Sequence, residues 1–186
     1  GSAMDIEALR DEPFAQEIQT TFNVSHGLDS EEVTAVVVST DGKVYAATAT
    51  ALFVLDRKHW KPVRSPGLPI RFLLAERDTL WAVGSNKAAR LDEGKWQTYA
   101  IPEDVVVCTA ASANGNVYLG TDKGVYAIGE QGVVRVIEWK KPIRALALFG
   151  DVLFFGTDSG LFRSEGKLSE NTFQPPSEVF PEDATY

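Results

Sequence analysis

One short phrase returns four times along this chain, and its spacing constrains the fold more than any other feature. At Asn114–Tyr126 it reads NGNVYLGTDKGVY, at Asp151–Phe162 DVLFFGTDSGLF and at Asp41–Phe53 DGKVYAATATALF; a weaker copy, DTLWAVGSNKAA, stands at Asp78–Ala89. The period can be counted. Tyr45, Trp81, Tyr118 and Phe154 are equivalent, with steps of 36, 37 and 36 residues. Thr48, Gly84, Thr121 and Thr157 step identically, as do Leu52, Ala88, Val125 and Leu161. Val33, Ile70, Val106 and Ile143 step 37, 36 and 37. Four columns that hold register within one residue identify a true repeat.

Each repeat carries about four short strands. Apolar runs alternate with turn chemistry such as Asp41-Gly42 and Asn114-Gly115, whose residues accept the positive φ of a tight hairpin. A repeat of this length with four strands predicts an all-β fold, a β-propeller of four blades of about 36 residues. The runs VTAVVV, IRFLLA, VVVCTA and IRALAL are expected innermost, covered on both faces by neighbouring blades. The polar segments HWKPV, KWQTYAI and VVRVIEW are expected outermost. Ala47, Gly84, Gly120 and Gly156 follow the second strands, where a small residue permits close packing or positive φ. The competing readings are a β-sandwich, which would not require this period, and a right-handed β-solenoid, whose rungs are usually shorter.

The blades are expected at about 33–69, 70–105, 106–142 and 143–175 within a propeller region of 20–175. Residues 1–4 look like a cloning remnant. Residues 5–19 form an N-terminal extension in which Ile6, Leu9 and Phe14 suit one short amphipathic turn. Thr20–Val24 is a strand candidate for closing the last blade, yet Thr172-Phe173-Gln174-Pro175 suits the same place. The Pro- and acid-rich residues 176–186 read as a linker. A closed four-blade ring, a segment of a larger ring and a pair of chains completing one ring all remain open.

Composition removes several functions. A net charge of −8 opposes binding to nucleic acid or anionic lipid, which demand clustered Lys and Arg. No stretch approaches the roughly 20 apolar residues of a membrane span. The single cysteine, Cys108, excludes an intramolecular disulfide and reads as a small buried core residue; His26 and His59 are too few for a His-rich metal site. No metal, cofactor or catalytic constellation is expected. The turn residues Asp41, Asp78, Asn114 and Asp151 lack the spacing of a calcium loop.

The words at residues 22–53, FNVSHGLDSEEVTAVVVSTDGKVYAATATALF, resemble the repeats of the two-component regulator propeller family. The matches are Gly27-Leu28, Val33, Asp41-Gly42, Val44-Tyr45, Thr48 and Leu52-Phe53; GTDKGVY and GTDSGLF match the second half of the motif better. The resemblance covers about residues 20–170. It implies an extracytoplasmic recognition domain, periplasmic or extracellular, serving signal transduction. The family motif contains no catalytic residues. Ala51 stands where the family has Gly, and the second repeat lacks the Gly-Thr pair.

Binding residues are expected on the face that carries the second-to-third-strand loops and the interblade connectors. The candidates are Asn86, Lys87, Asp122, Lys123 and Asp158 at loop tips, and Arg71 and Arg144 near the start of two inner strands. The two guanidinium groups suit a carboxylate or sulfate. Trp60, Trp96 and Trp139 fall near outer strands or connectors, suited to blade packing or to stacking on a sugar. The expected function is non-enzymatic recognition of a small molecule, glycan or protein. The alternatives are a scaffold that assembles through its blades and a fragment of a propeller glycosidase or lyase.

Overall fold

A computed structural model describes residues 24–30 and 32–179. Each repeat forms one antiparallel meander. Blade one is β1 (Val33–Val38), β2 (Val44–Thr48), β3 (Leu52–Asp56) and β4 (His59–Val63). Blade two is β5 (Phe72–Glu76), β6 (Thr79–Val83), β7 (Lys87–Asp92) and β8 (Lys95–Ala100). Blade three is β9 (Val107–Ala113), β10 (Asn116–Thr121), β11 (Gly124–Gly129) and β12 (Gly132–Glu138). Blade four is β13 (Ala145–Phe149), β14 (Val152–Thr157), β15 (Gly160–Lys167) and β16 (Thr172–Phe173), with β17 (Ser177–Glu178) also on β15. Among the described residues the helical elements are two 3-10 turns, Val24–His26 and Leu168–Glu170.

The hairpins form where the turn residues tolerate positive φ. Asn114-Gly115 has φ of 53° and 83°, and Glu93-Gly94 has 47° and 77°, the paired left-handed values of a two-residue turn matched to strand twist. Asp41 closes the first hairpin differently. Its carboxylate accepts from the Ser39 hydroxyl and lies 2.9 Å from Lys43 Nζ. Those two contacts, the hydroxyl first, hold its pKa down at about 2.

The blades stack through contacts that repeat with the sequence period. Thr34 Oγ1 donates to the Ile70 carbonyl at 2.9 Å, and Arg71 Nη1 donates to the Val107 carbonyl at 2.8 Å. Both reach from one inner strand to the opening of the next. Three apolar seams fill the gaps between consecutive sheets. Ala47 and Leu52 of blade one meet Leu73, Leu80 and Ala82 of blade two. Trp81 and Val83 meet Val117 and Leu119 of blade three. Tyr118 and Val125 meet Leu153 and Phe155 of blade four. Gly120, expected after the second strand, lies within it at the last position but one, and shows why a small residue belongs there. A Cβ there would stand 2.6 Å from Thr109 Cγ2 and 2.9 Å from Ile143 Cγ2 of the next blade.

The inner strands follow one another in the order β1, β5, β9, β13, and no comparable contact among the described residues returns from β13 to β1. The protein is therefore an open arc of propeller blades. This corrects one expectation. β5 and β9 have neighbours on both sides, but β1 and β13 alternate between partly covered and exposed residues. Val36 is 59% exposed and Phe149 82%.

Blade four completes its own outer edge. Thr172 and Phe173 pair with Lys167 and Gly166, and Ser177 and Glu178 pair with Arg163 and Phe162. The two pairings differ by one residue in register, and the slip falls at Pro175-Pro176. Prolines cannot donate to a ladder, so they sit at a bulge on an edge strand. The Ser164 hydroxyl donates to the Gln174 carbonyl across that bulge. Val24 lies in a 3-10 turn; the rest of the Thr20–Val24 strand candidate, the helical turn at Ile6, Leu9 and Phe14, and residues 180–186 lie outside the described residues.

Candidate functional site

The loops between second and third strands and the connectors between blades meet at one end of the arc, and each loop is tied to a connector. Asn86 accepts from the Ile101 amide at 3.0 Å through its carbonyl. The Asp122 carboxylate accepts from the Val106 amide at 2.8 Å, and Lys123 Nζ lies 2.7 Å from Asp104. Thr48 and Thr50 donate to the two oxygens of Asp29, each at 2.7 Å. These two bonds, Thr50 first, lower the Asp29 pKa below its usual value.

The two arginines flank the start of the third inner strand, where both guanidinium groups and Asp122 act on the Cys108 thiol. Arg71 is engaged by the Val107 carbonyl and lies over the Phe72 ring, 5.2 Å from its centroid. Arg144 forms a two-pronged pair with Asp158, Nε to Oδ1 at 2.9 Å and Nη2 to Oδ2 at 3.3 Å. That pairing holds the Asp158 carboxyl below its ordinary range and raises Arg144. Asn86, in the blade-two loop, and Lys87, the first residue of β7, are exposed. Cys108 is partly exposed, not buried as expected; it belongs to neither apolar seam beside β9 and sits at the bulge where pairing steps from Thr109–Gly120 to Val107–Thr121. Its thiol pKa is raised, first by desolvation and then by Asp122, so it stays protonated at neutral pH.

The feature that the sequence pointed to least is a hollow between blades three and four. An open cavity of about 620 Å³ is lined by Glu138, Trp139, Lys140, Lys141 and Ser159. A second, of about 410 Å³, adjoins it and is lined by Asp122, Lys123, Arg135, Glu138, Trp139 and Lys140. Trp139 forms the shared wall. Its ring lies 4.4 Å from Phe162 and 5.2 Å from Phe155, centroid to centroid. These contacts fix the indole, and its N–H has no hydrogen-bond partner among the described residues. The Trp139 amide and the Lys123 carbonyl stand 3.5 Å apart, which joins the connector to the loop. Lys141 Nζ donates to the Ser159 hydroxyl at 2.8 Å across the hollow's edge.

The site therefore combines a fixed aromatic wall, three lysines, an arginine, two carboxylates and a hydroxyl on a rigid frame. Trp139, Asp122 and Lys123 were legible from sequence. Lys140, Lys141 and Ser159 lie in the 139–142 connector and the 158–159 loop that sequence places on the binding face, but they were not among the individually named candidates. Of the other tryptophans, Trp60 is buried in the outer part of blade one and Trp96 donates to the Arg64 carbonyl at 2.7 Å. Among the described residues no cluster of His, Cys, Asp and Glu is arranged to hold a metal ion.

No family model matches the sequence, and no curated protein matches it. Solved structures do. The extracellular domain of a protein described as a hybrid two-component system from B. thetaiotaomicron matches with a TM-score of 0.69 and 17% identity. The match covers 83% of this chain and 23% of that one. Virginiamycin B lyase from Staphylococcus aureus matches with a TM-score of 0.60 and 17% identity, over 81% of this chain and 56% of that one. BamB from Moraxella catarrhalis matches with a TM-score of 0.57 and 17% identity, over 80% and 51%. The chain thus spans about a quarter of the first of these proteins and about half of the other two. At such identities the likeness shows the fold, and the fold is that of β-propeller blades.

Proposed function

We propose that the protein is a non-enzymatic recognition module, the extracytoplasmic binding part of a larger sensor, and that it takes its ligand on the loop face between blades three and four. The observation that carries this reading is the open hollow walled by Trp139. A tryptophan locked by two phenylalanines offers a flat apolar surface without further loss of side-chain freedom. Lys123, Arg135, Lys140 and Lys141 outnumber Glu138 and Asp122 along its walls, and Lys140 and Lys141 are not ion-paired to the Asp104 that holds Lys123, in a chain whose net charge is −8. That combination suits an acidic saccharide or another small anion with an apolar face.

Extracytoplasmic placement is supported by the resemblance of the repeat words and by the extracellular-domain neighbour. No helix among the described residues is long and apolar enough to cross a membrane. Titration with neutral and uronic-acid-bearing oligosaccharides, followed by calorimetry, tests the reading. Saturable binding of an acidic sugar, weakened at least about tenfold by Trp139→Ala and by Lys140→Ala with Lys141→Ala, is the expected result. Binding that ignores these substitutions contradicts it. Release of unsaturated sugar products would instead favour a propeller lyase.

A further inference from the structure

The same sequence column is treated differently in the last blade. Leu52, Ala88 and Val125 are each 0% exposed, because the next sheet lies over them; their counterpart Leu161 is 45% exposed. Trp81 and Tyr118 are buried, while the equivalent Phe154 is only partly so. Gly120 is crowded by Ile143 of the following blade, whereas Gly156 would meet only Ala145 of its own sheet, at 3.5 Å. The tether repeats the pattern. Thr34 and Arg71 reach forward to the opening of the next inner strand, but Arg144 turns to the exposed Asp158. Blade four thus has the forward face of an internal blade with nothing among the described residues over it.

Blade one has the complementary vacancy behind. A bulge in the third inner strand puts Val107, not Val106, opposite Thr121, as Val33 stands opposite Thr48. Ile70, Val107 and Ile143 are 4%, 1% and 0% exposed at this place, while Val33 is 41% exposed. Val36 and Val38 are each 59% exposed on that strand. Leu28 packs on Ala46, Phe53 and Trp60. The Leu28-Asp29 connector meets the end of the second strand at Thr48, as Leu68-Pro69 does at Gly84. The chain therefore enters blade one as it enters blade two.

We propose that these two faces belong to one interface and that its occupant is a second copy of this chain. A forward face and a rear face are the pair that already meets three times within the chain. Two copies arranged head to tail cover both open faces of each and leave none over. Such a heterologous contact forms a ring when its rotation closes. The closed ring has eight blades, within the range that propellers adopt. In it Arg144 exchanges Asp158 for the Val33 carbonyl of the second copy, as Arg71 holds Val107. The loop face then carries two Trp139 hollows related by the ring's two-fold axis.

Light scattering on the full chain tests this. At about 10 µM the expected mass is twice the 20.3 kDa chain. Phe149→Asp with Leu161→Asp, on the blade-four face, gives the single-chain mass. Val36→Lys, on the blade-one face, does the same. All three positions are exposed in the single chain, so circular dichroism stays that of the parent. Mixing the two variants restores a two-chain species, because one native interface forms and the other pairs Asp with Lys. A single-chain mass for the parent overturns the proposal, as does a mass above two chains. Retention of the dimer by Val36→Lys overturns it too, because two copies are then meeting through blade four alone.

Discussion

Gly124 and Gly132 open neighbouring strands with similar backbones, φ of 122° and 104°, yet their surroundings differ. A Cβ at Gly124 would stand 1.9 Å from the Ile137 carbonyl oxygen, whereas nothing lies within 4 Å of one at Gly132. Gly132→Ala carries only the cost of a left-handed alanine, about 1 kcal/mol. Gly124→Ala adds a clash with backbone that cannot move aside, and is expected to cost about 3 kcal/mol or more. Urea melts of the two variants check the difference. Asp29 makes a prediction about pH. Its carboxyl pKa is lowered in the fold, so its contribution is full above the usual 3.8 and fades as pH falls through the lowered folded value. Asp29→Asn is expected to lose about 0.5 kcal/mol at neutral pH, a small figure because the group is exposed. The deficit should shrink as pH falls below 3.8 and vanish once pH has passed through the lowered folded value. A deficit that persists at low pH would mean that packing, not charge, is what Asp29 supplies.

At the scale of the strand, the meander was legible because its turns carry their own chemistry. Asn114-Gly115 and the glycine-bearing loops after the second strands announce where the chain reverses. Thr172-Phe173 was legible as an outer strand for the same local reason. Its continuation at Ser177-Glu178 was not, since Pro175-Pro176 reads as a stop until a bulge is seen to absorb it. The Ser164 hydroxyl spans that bulge, so Ser164→Ala is expected to cost about 1 kcal/mol. Hydrogen exchange should show faster exchange of the Gln174 and Val179 amides with blades one to three unchanged. Uniform acceleration through all four sheets would place Ser164 in the global core instead. Site residues were legible only as positions. Sequence put Arg144 and Asp158 on one face, but their mutual pairing depends on strand register. The hollow beside Trp139 depends on the angle between two blades, which no local pattern encodes.

Across the whole molecule, the period states how many blades there are and in what order they stack. It does not state whether the last meets the first. Coverage of inner strands depends on neighbours that the repeat itself does not number, and therefore β1 and β13 departed from the expected pattern while β5 and β9 followed it. The central claim is that four equivalent repeats stand side by side and that only the last lacks a blade over its forward face. Aspartate substitution along one column tests it most directly, with urea melts at a dilution where scattering reports the single chain. Leu52→Asp, Ala88→Asp and Val125→Asp each place an unpaired charge in a sealed seam, and are expected to lose at least about 3 kcal/mol. Leu161→Asp is expected to lose less than about 1 kcal/mol. Equal damage at all four positions, or a harmless aspartate at any of the first three, would contradict the arrangement.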